Sequence, residues 1–75
     1  MTAKEMFEKL GFNYRKELYE KDKLIEIQFN NYNGTWVTIS KEKIEYVKDH
    51  DKSKLPLNLL KVINKQIEEL GWDNE

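Results

Sequence analysis

The stretch from Leu24 to Ile39 limits what this chain can fold into more than any other. Ile25, Ile27 and Phe29 alternate with Glu26, Gln28 and Asn30, which is the period of a half-buried strand with one wet face. Asn33-Gly34 follows. Both residues tolerate positive φ, so the pair predicts a tight primed turn. Residues 35–40 then read as a return strand, with Val37 and Ile39 on the apolar face and Trp36 and Thr38 on the other. The resulting hairpin has one apolar face, and amphipathic segments on either side of it in the chain can cover that face.

The first cover is residues 2–10. Thr2 stands as an N-cap with Glu5 three residues on, a capping box in which each side chain satisfies the other's free N–H. Met1 and Met6 are spaced for a hydrophobic staple. Ala3, Met6, Phe7 and Leu10 fall on one helical stripe, and Lys4, Glu5, Glu8 and Lys9 fall off it. Gly11 supplies a left-handed end, after which Phe12 can fold back on Phe7. The second cover is Leu57–Leu70, with Leu59, Leu60, Ile63, Ile67 and Leu70 on its stripe. Pro56 suits the first helical position, although Leu55 is then a poor N-cap. Gly71 and Trp72 repeat the ending of the first helix, and residues 73–75 are expected to fray.

Between the covers, residues 13–20 read as a further strand with imperfect alternation, followed by a polar turn at residues 20–23. Residues 41–54 are ambiguous. Ile44, Tyr46 and Lys48 alternate with Glu45 and Val47, as in an edge strand, but Ser40 could equally cap a short helix. Residues 49–54 read as a charged loop. The expectation is a single α+β domain over residues 1–75: a two-layer fold with a three- to four-stranded antiparallel sheet and both helices on one face. Its core is expected to hold Met6, Phe7, Leu10, Ile25, Ile27, Phe29, Val37, Ile39, Leu60, Ile63 and Ile67.

At 75 residues the chain has a modest core, since a domain of that size buries only about 60% of its unfolded surface. It has no cysteine, so no disulfide or thiolate zinc site is expected. Thirteen basic and fourteen acidic residues nearly cancel, which argues against a general polyanion binder. No apolar run reaches membrane-spanning length, and the N-terminus lacks the apolar core of a secretion signal, so a cytoplasmic location is expected. The lone histidine, His50, sits between Asp49 and Asp51, and three successive loop residues cannot all converge on one metal ion or substrate atom. Ser40 and Ser53 lack a glycine-rich elbow, and the three glycines serve turns and caps rather than a phosphate loop. Glu26 beside Gln28 reads as a solubilising pair. No catalytic, cofactor or metal residue is expected, and the chain reads as a non-enzyme.

The rings are the more informative signal. Tyr and Trp anchor interfaces. The expected contact surface carries Trp36 and Thr38, extended by the tip residues Asn31, Tyr32 and Asn33 and by Tyr46. Two other uses compete. Trp36 and Tyr46, with Arg15, Lys16 and Lys48 in reach, could stack nucleic-acid bases; or the same face could make a homodimer.

Two motifs carry a resemblance. Thr2-Ala3-Lys4-Glu5-Met6-Phe7-Glu8-Lys9-Leu10-Gly11-Phe12 and Ile63-Asn64-Lys65-Gln66-Ile67-Glu68-Glu69-Leu70-Gly71-Trp72 resemble the two ends of a group of short, uncharacterised proteins of phages and prophages of low-GC Gram-positive bacteria. The middle of the chain resembles that group in pattern alone. The resemblance implies a small accessory phage protein in the bacterial cytoplasm; with the missing chemistry and the abundance of Tyr and Trp, it makes a host protein the expected partner. A host-defence inhibitor is one expectation, by analogy with other phage proteins of this size. It carries over no catalytic residue.

Overall fold

The structure is a computed structural model that describes residues 1–48 and 55–74. Its elements are α1 (Ala3–Lys9), β1 (Asn13–Glu20), β2 (Lys23–Asn30), β3 (Trp36–Ser40), β4 (Ile44–Val47) and α2 (Leu57–Leu70). A short 3-10 turn at Trp72–Asn74 follows α2, where fraying was expected. The strands form one antiparallel meander in the order β1-β2-β3-β4. The ambiguous segment after Ser40 is therefore an edge strand. The charged loop expected at residues 49–54, with Asp49, His50, Asp51 and Ser53, lies outside the described residues.

Local chemistry fixes α1 as read. Thr2 Oγ1 accepts from Glu5 N–H at 3.2 Å, and Thr2 N–H donates to Glu5 Oε1 at 2.8 Å. At the other end Gly11 is left-handed, its N–H donates to the Glu8 carbonyl, and Phe12 N–H donates to the Phe7 carbonyl. Those two bonds make a Schellman motif. It brings the Phe12 ring edge-on to Phe7, with centroids 6.1 Å apart. In α2, Pro56 itself is the N-cap and makes no side-chain capping bond.

The two helices run antiparallel over one sheet face. Glu69 near the end of α2 accepts from Ala3 N–H at the start of α1, at 2.9 Å. Phe7 and Phe12, the strand residues Ile27, Phe29, Val37 and Ile39, and Leu59, Val62 and Ile63 of α2 form one buried cluster. At its centre Phe7 stacks on Phe29 at 3.8 Å, and Tyr14 meets Phe29 edge-on at 5.4 Å.

Three core expectations shift. Met6, Leu10 and Ile67 are half-buried and pack against the cluster rather than inside it. On α2 the inward stripe is rotated: Leu59 and Val62 are buried and Leu60 is only half-buried. On β2, Ile25 is half-buried while Leu24 packs against the cluster. The cause is a register slip between Leu18 and Tyr19, which pair with Glu26 and Leu24 and leave Ile25 unopposed. Such a bulge re-aims side chains on the strand that carries the extra residue.

The two turns that flank β2 exchange character. The primed turn lies at Lys21-Asp22, where φ is 50° and 65°. At Asn33-Gly34 only Gly34 is left-handed. Asn31 N–H donates to the Thr35 carbonyl, which closes a three-residue loop ending in a left-handed glycine. Left-handed non-glycine residues cost roughly 1–2 kcal/mol each. Replacing Lys21-Asp22 by Asn-Gly should therefore stabilise the fold by about 1 kcal/mol, after the extra chain entropy of glycine is deducted. A urea titration should show a higher midpoint at unchanged slope.

Tyr14 gives the fold a pH limit. Its hydroxyl is buried without a formed hydrogen bond. Burial, and secondarily the Glu17 carboxylate, push the phenol well above the ordinary tyrosine range. A raised acid constant stabilises the fold fully below the unfolded value, about pH 10, and the benefit is lost as pH climbs from there toward the folded value. Stability should thus decline above about pH 10. Tyr14→Phe should make that decline shallower while changing stability at neutral pH by no more than about 1 kcal/mol. Melts across the alkaline range measure both.

Candidate protein-binding surface

No element among the described residues covers the second sheet face. Cross-strand partners share a face, so the register assigns its rows. Nearest the β2–β3 loop stand Asn13, Asn30, Trp36 and Val47. The next row is Lys16, Gln28, Thr38 and Glu45, and the third holds Leu18, Glu26 and Ser40. Gln28 Nε2 donates to Glu26 Oε2 at 2.9 Å, so that pair is spent on itself. The rows differ in charge. The two farther from the loop carry Lys16, Glu26 and Glu45; the row at the loop end carries none, although Lys48 follows Val47 in the chain and Arg15 is exposed without a register partner.

Trp36 and Val47 lie directly opposite each other, 38% and 53% exposed. Beyond them the loop presents Tyr32, 88% exposed. The loop is held from within. Asn31 Oδ1 accepts from Asn33 N–H at 2.9 Å and from Thr35 N–H at 3.1 Å. A fixed backbone thus projects a bare ring, and a tyrosine has only two torsions to immobilise on binding. Asn31→Ala should unlock this loop at a cost of about 1 kcal/mol, whereas Asn31→Asp, which keeps the acceptor, should cost less.

The six residues expected at the surface divide. Trp36 and Thr38 share the open face. Tyr46 does not join them: it pairs with Val37 and is half-buried against the core on the helix-facing side. It borders a groove of about 280 Å³ with Asn31, Asn33 and Leu59. Tyr32 stands free at the tip between the two faces. Because Trp36 and Tyr46 are on opposite faces, the two-ring stacking platform considered for nucleic acid does not form. Val47, which sequence reasoning left aside, takes the place beside Trp36. One signal could have found the surface: from Ile27 to Ser40 no residue carries a charge, in a chain that is 36% charged.

No group of three or more His, Cys, Asp or Glu side chains that could hold a metal occurs among the described residues. No helix among them is long and apolar enough to cross a membrane. Compared with known proteins, the chain matches no family model, no curated protein and no solved structure.

Proposed function

We propose that this chain is a non-catalytic binding module that docks the loop end of its β2–β3 hairpin against a larger protein. One observation carries the reading: Trp36 and Val47 are exposed side by side in the uncharged row of the open sheet face, with Tyr32 bare on the loop beyond them. Interface centres are depleted in charge and anchored by Trp and Tyr, because burying an unpaired charge is costly and burying a ring is favourable. The resemblance of its helices to phage accessory proteins makes a host-cell protein the partner class, with inhibition of a host defence as the corresponding role. A standard interface needs about 800 Å² per partner. The row at the loop end together with the tip supplies its centre.

The test compares proteins recovered from a low-GC Gram-positive lysate by the wild type, Trp36→Ala, Tyr32→Ala and the control Glu45→Ala. A ring at the centre of an interface is worth about 2 kcal/mol or more, roughly a thirtyfold loss of affinity. The two ring variants should lose a protein that the wild type and Glu45→Ala retain. Equal recovery by all four would sink the proposal. Sedimentation at several concentrations checks the competing use of the same face: a Trp36-dependent homodimer would make the partner a second copy of this chain.

A further inference from the structure

A second surface lies on the opposite side of the molecule, on the outer side of the helix layer. A shallow groove of about 300 Å³ runs between α1 and α2. Met1, Met6 and Leu10 line one bank and Val62 the other, while Lys9 and Lys61 stand on opposite banks. Neither lysine has an ion pair among the described residues. Glu5, one turn before Lys9, is held by Thr2 and also feels the Lys9 charge; Glu69 accepts from Ala3 N–H, and Glu68 pairs with Lys65 at 3.9 Å. Leu57, 74% exposed, lies one turn before Lys61 on α2 and continues the apolar track. At the far end Met1 is 66% exposed. An apolar floor with a lysine on each bank, and no acid in its lining, asks for a complementary ligand.

We infer that this groove takes an acidic amphipathic helix from a protein partner, with an apolar stripe on the floor and Glu or Asp facing Lys9 and Lys61. Two parallel banks of helix make a natural seat for a third, read through anchors at i, i+3 or i+4, and i+7. Both methionines of the chain border the seat, and their flexible thioethers adapt to varied apolar anchors. The site is independent of the hairpin surface.

The probe is a synthetic helix of about 14 residues, the length of α2, with Leu at helical spacing and Glu on both flanks. Its counterpart carries Lys on the flanks. Fluorescence polarisation with the full chain should show the Glu peptide binding roughly tenfold more tightly than the Lys peptide, an advantage that shrinks with added salt. Lys9→Glu/Lys61→Glu, both at exposed positions, should reverse the preference, with an unchanged melt showing that the fold is intact. Trp36→Ala should bind the Glu peptide like the wild type, which separates this site from the hairpin reading. Equal affinity for both peptides, no binding of either, or a preference untouched by the double variant would overturn the inference. So would binding to anionic lipid vesicles without binding to the Glu peptide.

Discussion

Phe29→Ala is expected to cost roughly 3–5 kcal/mol, the largest effect of any single truncation in this chain. Phe29 is fully buried, stacks on Phe7 from α1, and meets Tyr14 from β1 edge-on. Its strand partners are Tyr14 and Val37. One ring therefore ties the first helix to three strands. Removing it forfeits the transfer energy and leaves a void that Phe7 cannot fill without dragging α1 inward. The two aromatic pairs add about 0.5–1.5 kcal/mol each beyond simple area. Domains of this size have roughly 4–11 kcal/mol in total. At about 4–8 °C per kcal/mol, the melting midpoint should fall by upwards of about 12 °C. Phe29→Leu, which keeps most of the volume, should cost far less. Thermal melts followed by circular dichroism decide it, and an unchanged midpoint for Phe29→Ala would show that the helix does not seat on this ring.

The features that sequence predicts best are those decided within a few residues. The Thr2–Glu5 box and the Gly11–Phe12 ending of α1 need only neighbours along the chain, and both form as read. Leu57–Leu70 is likewise set by its own period. The hydrophobic alternation of residues 27–29 and 37–39 yields the correct sheet face, since a strand offers only two choices.

Features decided by a second element are less legible. Which side of α2 turns inward depends on where α1 lies beside it. With α1 along that flank, Val62 is buried and Leu60 is displaced, although both are apolar. Ala3 is buried for the same reason, at the point where Glu69 reaches across to its N–H. The face of Tyr46 depends on the tight turn after β3, where Ser40 N–H donates to the Lys43 carbonyl. That turn sets Val37 opposite Tyr46 and puts Val47 beside Trp36. Asn33-Gly34 marks a reversal of the chain, but a three-residue loop uses the same glycine as a primed turn. The true primed turn hides in Lys21-Asp22 because neither residue advertises positive φ; the pairing of Glu20 with Lys23 imposes it. Of the candidate surface, Trp36, Thr38 and Tyr32 could be read from alternation and loop position. That Trp36 stands in an uncharged row beside Val47 required the register.

The register slip in β2 has the sharpest consequence. Without it, Ile25 and Ile27 would be equivalent members of one alternating stripe and would respond alike to truncation. With it, Ile27 is 2% exposed, flanked by Glu17 and by the fully buried Ile39. Ile25 has no partner on β1 and stays half-buried. Ile27→Ala is therefore expected to cost roughly 2–5 kcal/mol, since the void opens between two packed strands under α2. Ile25→Ala removes partly hydrated methyl groups next to solvent, and about 1 kcal/mol is expected. Leu24→Ala should fall between them, because Leu24 packs against the cluster in the place that strict alternation assigns to Ile25. Urea titrations of the three variants at equal slope rank the costs. The order Ile27, Leu24, Ile25 supports the bulge. Equal losses for Ile25 and Ile27 would mean that β2 pairs with β1 in unbroken register, and that the apolar face is the plain stripe its alternation suggests.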